Sequence, residues 1–226
     1  MSLPVGPSLP GWEPPPRLRP TVLEGRYVTV RPLAEDDFGP LWESFAAAGD
    51  ELWTYMSYGP FADVADLERT ASAWIGSEDP LFFTFAVDGV ARGWGAYLRI
   101  EPAHGVAEVG HLVFAPHLQR TPAATEAMYL MMRHVFELGY RRYEWKCDAL
   151  NAASRRAAER LGFTYEGTFR QHMVYKGRSR DTAWYSITDA EWPRLRDAFE
   201  AWLAPSNFDD QGRQLRRLAD FRRSVD

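Results

Sequence analysis

The stretch from Glu108 to Ala127, EVGHLVFAPHLQRTPAATEA, decides how the rest of the chain is interpreted. Its first part, up to Phe114, is a β-rich apolar run typical of a strand, and the glycine inside it favours a bulge or the close approach of a ligand. Thr121 is a good helix N-cap, and Pro122 suits the first helical position because that position needs no backbone N–H. The sequence therefore predicts a strand, a short polar loop and a helix.

The start of this predicted helix has the chemistry of an anion-binding site. The backbone amides of Ala123, Ala124 and Thr125 are expected to point out of the helix end, where the helix dipole is positive. Arg120 adds a positive charge and Thr125 adds a hydroxyl. On these residues alone, an ordinary turn without a ligand is the favoured interpretation, since most such turns bind nothing.

Several motifs in order along the chain resemble a known family. The pattern Gln119-Arg120-Thr121-Pro122-Ala123-Ala124 is similar to the Q/R-x-x-G-x-G/A pyrophosphate loop of the GNAT superfamily of N-acetyltransferases. Asn151-Ala152-Ala153-Ser154, leading to Leu161-Gly162-Phe163, resembles its second signature. The segment from Glu166 to Ile187 looks most like the RimJ/RimL-type branch, which acetylates the N-termini of ribosomal proteins. The resemblance covers about Leu23 to Leu203, and the order and spacing of the motifs are more specific than any one of them.

The resemblance implies an α/β (α+β) fold, namely a GNAT-like acyl-CoA acyltransferase fold. We expect a mixed, mainly antiparallel sheet of six to seven strands with helices on both faces. The residues agree: Asp88-Gly89 is a strong hairpin signal, and the strand from Tyr143 to Asp148 should lie parallel to the Glu108 strand because a helix connects the two. The resemblance further implies that these parallel strands splay apart and that the pantetheine arm of CoA enters the gap.

Acetyl-CoA is the co-substrate that the resemblance implies, without a metal. The residues expected to contact it are Leu112, Phe114, Gln119, Arg120, Thr121, Ala123, Ala124, Thr125, Asn151 and Ser154. Pro122 stands where the family usually has glycine, which removes one backbone donor from the loop. CoA affinity is then lower, unless Arg120 and Thr125 compensate. Read without the family, Asn151 is a fair N-cap and Ser154 faces solvent.

Amine acetylation requires a group that takes a proton from the amine and donors for the developing oxyanion. Glu108 is the predicted base, directly or through a water, and its alternative is a surface strand residue. Glu166 and His111 are the runners-up. A backbone amide near Leu112 or Phe114 is expected to meet the oxyanion.

Ser154 is the second predicted catalytic residue. Many relatives carry a tyrosine where this chain has Ala158, so the resemblance leaves Ser154 near the thioester sulfur as the remaining match. A thiol with a pKa of about 8.5 is already a tolerable leaving group, so Ser154 is expected to assist rather than to decide the rate.

The acceptor side is predicted from the aromatic segment, residues 52–61 (LWTYMSYGPF), which shows no helical period. In the family this connection borders the acceptor pocket, although a packed loop over the core explains the aromatics almost as well. The predicted substrate-binding residues are Trp53, Tyr55, Tyr58, Phe61 and Arg170. The best-supported acceptor is the N-terminal α-amine of a protein such as a ribosomal protein.

Two other functions remain open. One is acetylation of a small-molecule amine such as a polyamine, an antibiotic or an amino acid, and the other is a non-catalytic acyl-CoA-binding sensor. An open groove on the acceptor side favours a peptide, a closed acidic pit favours a polyamine, and a blocked acceptor side favours the sensor. The partners expected are therefore acetyl-CoA and an amine acceptor.

Length and composition predict one substantial core. The 226 residues are 46% hydrophobic and 14% aromatic, and we divide them into a proline-rich arm (1–20), an N-acetyltransferase domain (21–203) and a basic tail (204–226). The net charge of -5 argues against a general nucleic-acid binder. The five histidines and the single Cys147 lack zinc-ligand spacing, and one cysteine allows no internal disulfide.

The expected location is the cytoplasm. We find neither a signal peptide nor an apolar run of membrane-spanning length in the sequence, so no membrane contact is expected. A lone cysteine fits a reducing compartment. The sequence leaves the oligomeric state open between a monomer and a homodimer.

Overall fold

The computed structural model describes residues 3–223, which form an eight-stranded sheet with helices on both faces. The strands are β1 (Leu23–Glu24), β2 (Thr29–Pro32), β3 (Leu81–Val87), β4 (Val90–Glu101), β5 (Val106–Phe114), β6 (Arg142–Asp148), β7 (Thr164–Tyr175) and β8 (Arg178–Thr188). The helices are α1 (Phe38–Ala46), α2 (Val64–Ala71), α3 (Pro122–Glu137), α4 (Ala152–Leu161), α5 (Trp192–Leu203) and α6 (Leu218–Arg223). Fold class and mixed sheet are confirmed, with eight strands instead of six to seven.

The alternation of Val28 and Val30 with polar neighbours predicts one strand over residues 22–33, and the additional strand arises because this segment is broken in two. The carboxylate of Glu126 on α3 accepts hydrogen bonds from the backbone N–H groups of residues 26–28, at 2.5 to 3.1 Å. These amides turn away from the sheet, so β1 ends at Glu24 and β2 begins at Thr29. Gly25 is required at this turn, since a Cβ there would lie 2.5 Å from the Glu126 carboxylate.

The strands follow the order β1-β2-β3-β4-β5-β6-β8-β7, and every neighbouring pair is antiparallel except β5 and β6. This parallel pair is joined by α3, as the crossover predicts. We call the boundary between β5 and β6 the seam. Its register runs only from Val106↔Arg142 to Val109↔Trp145, after which the two strands separate. The predicted splaying of the parallel strands is therefore present in the structure.

Each face of the sheet has its own hydrophobic core. One core contains residues of α3, α4, α5 and α6 packed against the sheet, with Phe199, Leu130 and Met131 among its most buried side chains. The other core lies under α1 and α2 and includes Trp94 from β4. Strand β5 contributes to both cores, because Val109 belongs to the first and Val113 to the second. It is thus buried on both sides, at the centre of the molecule.

Turn and cap residues explain most element ends. The β3–β4 hairpin turns at Asp88-Gly89 with φ of 50° and 77°, the left-handed conformation that a two-residue hairpin requires. Thr188 and Glu191 have the spacing of a capping box, which predicts a helix start at Thr188, and the Glu191 carboxylate does accept from the Thr188 N–H at 2.8 Å. However, α5 begins only at Trp192, because Pro193 fits only at the start of a helix.

Parts of the arm and of the tail lie against the body of the protein. Leu18 of the arm is buried in the main core, and Arg17 donates to the Ile100 carbonyl at 3.2 Å. In the tail, Leu218 is buried and Arg222 donates to the Glu159 carbonyl of α4 at 3.2 Å. The predicted domain limits stay predictions. Over the part of the chain that the structure describes, no helix is both long and apolar enough to cross a membrane.

Candidate active site

The site is organised by a β-bulge in β5 just beyond the seam. Gly110 pairs with Ala96 and Val113 pairs with Trp94, so His111 and Leu112 together stand opposite Gly95 of β4. His111 takes a left-handed φ of 52°, which a bulge tolerates. Beyond Val109, the β6-facing edge of β5 has no strand partner among residues 3–223. Its backbone groups are therefore available to a ligand in the gap.

Glu108 lies beside this gap and is 1% exposed. Its carboxylate is 3.0 Å from the Lys146 Nζ on β6 and 3.6 Å from the Arg99 Nε on β4. Burial nevertheless raises the Glu108 pKa to about 7, with the two cations only partly opposing that rise. A carboxylate that changes protonation near neutral pH is well matched to general-base chemistry. The surface-residue alternative for Glu108 is excluded by its burial.

Glu166, a runner-up base, is engaged elsewhere. Its carboxylate pairs with Arg142 at 2.5 Å and accepts from the Ser186 hydroxyl at 2.7 Å. These contacts, the Arg142 hydrogen bond first, lower the Glu166 pKa. Arg142 sits at the closed end of the seam, opposite Val106. Glu166 is thus a weaker proton acceptor than Glu108 and lies away from the gap.

His111, the other runner-up, is held among aromatic rings. Its ring stacks on Tyr58 with centroids 5.7 Å apart and lies 5.0 Å from Phe82. Burial, reinforced by the positive charge of Lys146, lowers its pKa to about 4. The imidazole is therefore neutral at physiological pH and is a weak base. Its strongest structural role is to fill the bulge against the core under α1 and α2.

The start of α3 offers different amides from those predicted. The Ala124 N–H donates to the Thr121 hydroxyl at 3.2 Å, and the Thr125 N–H donates to the Thr121 carbonyl at 3.3 Å. The prediction that both amides are free is wrong, because Thr121 caps the helix with its side chain and its carbonyl. At this helix start, within the described residues, the amides without a hydrogen-bond partner are those of Ala123, as predicted, and of Arg120 and Thr121.

Some side chains of the loop before α3 and of its first turn form hydrogen bonds within the protein, and others are exposed to solvent. Gln119 donates to the Phe114 carbonyl at 3.0 Å and so braces the loop against β5. Arg120 takes a left-handed φ of 62° and is exposed, and no carboxylate of residues 3–223 pairs with it. Thr125 is buried, and its hydroxyl accepts from the Arg160 guanidinium at 3.2 Å. Arg120 is therefore the side chain of this loop that is available to an anion.

Ser154 is tied to the open end of the seam. Asn151 caps α4, since its side-chain oxygen accepts from the Ser154 N–H at 3.0 Å. The Ser154 hydroxyl accepts from the indole N–H of Trp145 at 3.0 Å, and Trp145 is the last β6 residue paired with β5. Ser154 therefore lies at the open end of the seam, and its role near the thioester sulfur stays a prediction. Ala158, at the position of the missing tyrosine, is fully buried.

The aromatic segment is partly core. Trp53 is 5% exposed and packs edge-on against Phe45 at 5.4 Å, so it does not line an open acceptor pocket as predicted. Tyr58 accepts from the Trp94 indole at 3.1 Å, and burial raises its pKa. Phe61 stacks beside them. Tyr55 instead donates to the carbonyl of Leu150, in the connection between β6 and α4, at 3.2 Å.

Arg170 lies in a second bulge, on edge strand β7. Phe169 pairs with Thr182 and Met173 pairs with Arg180, so residues 170–172 stand opposite a single β8 residue. These residues, with Phe169, line an open cavity of about 680 Å³. The hairpin part of the predicted acceptor side thus borders an open cavity, whereas its role in binding an acceptor stays a prediction.

Sequence reasoning missed the cations around Glu108. Successive residues of a strand lie on opposite faces of the sheet, so the sequence does predict that Lys146 lies on the face opposite to the apolar Trp145 and Cys147. Its partnership with Glu108 depends on the register between β5 and β6, which no local pattern gives. The position of Arg99 beside Glu108 was not predictable either, because Arg99 lies in a bulge of β4 with φ of 48°.

No group of three or more histidine, cysteine, aspartate or glutamate residues is arranged to hold a metal ion in the described residues. What the fold presents is a separated parallel strand pair, a helix N-terminus beside it and a buried carboxylate on the central strand. These features define an acyl-CoA-dependent acyltransferase fold.

Comparison with known proteins gives the family. The profile described as "Acetyltransferase (GNAT) domain" matches residues 28–164. A GCN5-related N-acetyltransferase from Brucella melitensis is 46% identical, with a TM-score of 0.92, and the match covers 95% of this chain and 99% of that one. A probable GNAT-family acetyltransferase from Chromobacterium violaceum is 38% identical over 85% of this chain and 98% of that one, with a TM-score of 0.79. The chain belongs to the GNAT acetyltransferase family.

A more distant structure shares the fold alone. RimJ from Mycobacterium smegmatis, solved in complex with CoA-disulfide, is 22% identical, with a TM-score of 0.64, and the match covers 74% of this chain and 84% of that one. A search of curated protein sequences returned no significant match. The family thus rests on the profile and on the two more similar structures, whereas the RimJ/RimL-type branch stays a prediction.

Proposed function

We propose that this acetyltransferase transfers the acetyl group of acetyl-CoA to the α-amine of a peptide or protein N-terminus, with Glu108 as the base. The observation that carries the proposal is the buried Glu108 carboxylate, with a pKa of about 7, beside the open end of the seam. A RimJ/RimL-type acceptor such as a ribosomal protein is the best match from sequence. The cytoplasm is the corresponding location.

The co-substrate is proposed to lie across the seam. Its pyrophosphate would be bound by the amides of Arg120, Thr121 and Ala123 and by the Arg120 side chain, at the positive end of α3. The amides of Ala124 and Thr125 would join only if Thr121 released them. The CoA-disulfide in the RimJ complex supports CoA as the ligand of this fold.

The pantetheine arm is proposed to use the free edge of β5 beyond Val109, near Leu112 and Phe114. An amide there would also donate to the oxyanion of the tetrahedral intermediate. The Asn151 amide group would contact the arm, and the Ser154 hydroxyl would stabilise the leaving thiolate. Glu108, ionised above about pH 7, would take the proton of the attacking amine, directly or through a water.

An α-amine suits this base. Its pKa of about 7.7–8.0 lies close to that of Glu108, whereas a lysine side chain near 10.4 is neutral hundreds of times less often at pH 7. Arg99 and Lys146 lie beside Glu108, and their positive charges disfavour a polyamine as the acceptor. Tyr55, Phe61 and Arg170 are proposed to line its approach.

The test is thiol release from acetyl-CoA with two peptides, one with a free N-terminus and one that is N-blocked and contains a lysine. We expect the free N-terminus to be preferred and kcat/KM to rise with pH through about 7 in the wild-type protein. Glu108→Gln should lower the rate by roughly 10²- to 10⁴-fold near pH 7, with CoA binding unchanged. The loss should shrink above about pH 8, where the amine arrives already neutral.

Glu166→Gln is the matched control, because Glu166 is a carboxylate held by Arg142 and Ser186. It should keep nearly full activity. Preference for the lysine peptide would reject the N-terminal acceptor. A Glu108→Gln protein with full activity at pH 6 would move the base to Glu166 or His111.

A further inference from the structure

On the sheet face that carries Glu108, two cations lie above one aromatic ring. The guanidinium of Arg99 is 5.0 Å and the Nζ of Lys146 is 5.2 Å from the centre of the Trp184 ring. Both also approach the same oxygen of Glu108, at 3.6 and 3.0 Å. One carboxylate is thus shared by two cations, and a positive charge remains even when Glu108 is ionised.

Arg180 adds a third cation to this face. It lies on β8 four residues before Trp184, which places both side chains on one side of a regular strand. Its Nε is buried and has no hydrogen-bond partner, and no carboxylate between residues 3 and 223 pairs with its guanidinium. Its guanidinium lies 5.6 Å from the centre of the Tyr175 ring. The side chain as a whole is partly exposed, so its guanidinium is accessible to an anionic ligand, for which its planar set of donors is well suited.

The acidic groups around Arg180 are already engaged. Asp148 accepts from the Tyr175 hydroxyl at 2.7 Å and from the Leu150 N–H at 2.8 Å. Asp181 accepts from the Gln171 N–H at 2.7 Å. These donors are neutral, so both carboxylates keep their charge, but within the described residues neither forms an ion pair with Arg180.

His172 shows that the three cations surround one region. Its Nδ1 is 3.0 Å from the Thr182 hydroxyl, on the strand between Arg180 and Trp184. Burial and the positive charges of Lys146, Arg180 and Arg99, in that order, lower its pKa. His172 also lines the cavity of about 680 Å³ that opens beside β7. We call Arg99, Lys146 and Arg180, with Trp184 between them, the cationic floor.

We propose that the acceptor carries a carboxylate close to its reactive amine and that Arg180, with the other cations of the cationic floor, binds that carboxylate. This inference rests on the proposed transfer reaction, because it needs the amine to reach Glu108. Two acceptors share the chemistry: a peptide whose first residue is acidic, and a free α-amino acid. A polyamine would place a second cation against the cationic floor.

The experiment compares acceptors that differ by one carboxylate, each at several pH values because that carboxylate also raises the pKa of the neighbouring amine. A peptide beginning with aspartate is compared with the same peptide beginning with asparagine, and free alanine is compared with alaninamide. Thiol release from acetyl-CoA gives kcat/KM for each. We expect one charged acceptor to exceed its neutral partner by about 10- to 100-fold, the range expected for a hydrogen bond to a charged group.

The variant Arg180→Gln should reduce that ratio to near one. The matched control is Arg196→Gln on α5, whose guanidinium pairs with its neighbour Asp197 on the surface and should leave the ratio unchanged. Calorimetric CoA affinity equal to that of wild type verifies that both variants are folded.

The outcomes separate cleanly. A preference for the aspartate peptide that Arg180→Gln removes supports an acidic N-terminus, and the same result with alanine supports a free amino acid. Ratios near one in the wild-type protein, or a ratio that Arg180→Gln leaves intact, would overturn the inference while transfer itself stands. Absence of thiol release with all four acceptors, in a protein that binds CoA, would overturn the proposed reaction and this inference with it.

Discussion

Replacing Glu108 by glutamine should stabilise the protein at alkaline pH even though it removes the proposed base. The reason is the cost of keeping a charge in the interior. Glu108 is 1% exposed, and burial raises its pKa from 4.5 to about 7 against the pull of Lys146 and Arg99. Glutamine has nearly the same shape and carries no charge at any pH. The variant thus avoids the desolvation that the ionised carboxylate suffers.

The sign and size of this change in stability follow from the linkage between proton binding and folding. The folded state binds this proton more tightly than the unfolded state, so the wild-type contribution is fully present below about pH 4.5 and is lost as the pH rises through about 7. The full loss is about 3 kcal/mol at 1.36 kcal/mol for each pH unit between the two pKa values. Of this, about 2.5 kcal/mol falls between pH 5 and pH 8. The glutamine variant loses none of it.

Urea unfolding at pH 5, 6, 7 and 8 measures the effect. The free energy of unfolding of Glu108→Gln minus that of wild type should rise by about 2.5 kcal/mol across this range. Glu137→Gln is the control, because the Glu137 side chain is 63% exposed and its difference should stay within about 0.5 kcal/mol throughout. A Glu108→Gln difference that does not change with pH would refute the assignment of a buried, proton-binding carboxylate.

Two further predictions concern the CoA loop. Arg120→Glu should weaken CoA about tenfold or more in calorimetry and leave pantetheine, which lacks the pyrophosphate, unaffected; equal weakening of both would remove Arg120 from the phosphate site. Pro122→Gly restores one backbone donor worth roughly 1.5–3 kcal/mol against a glycine cost of about 1 kcal/mol, so CoA should bind more tightly. Unchanged or weaker binding would show that the loop is adapted to proline.

Local signals in the sequence predicted most of the fold. The Asp88-Gly89 turn, the Thr121 cap and the crossover through α3 each depend on residues close together in the chain, and each is present. The break between β1 and β2 was not predictable in this way. It depends on Glu126, about a hundred residues away, accepting three backbone N–H groups.

The site was less predictable than the fold. Its chemistry depends on which polar groups are already engaged in hydrogen bonds and which side chains are buried. Ala124 and Thr125 were expected to offer free amides, yet the favourable N-cap Thr121 engages both. Trp53 was expected on the acceptor surface, whereas packing against Phe45 buries it. The Glu108 position was predicted, but its raised pKa depends on burial, which a strand pattern alone does not show.

The seam has a consequence for how the molecule opens. Four residue pairs join β5 to β6, whereas seven join β6 to β8. The sheet therefore has fewer paired residues at the seam than at the neighbouring boundary between β6 and β8. Local unfolding tends to separate units where few contacts cross, which places such an opening along the gap between β5 and β6. A ligand that contacts both strands there binds only the folded state and so raises the free energy of unfolding by mass action. At a ligand concentration of a hundred times Kd, this increase is about 2.7 kcal/mol. The thermal midpoint of this protein would then report the occupancy of its own central cleft.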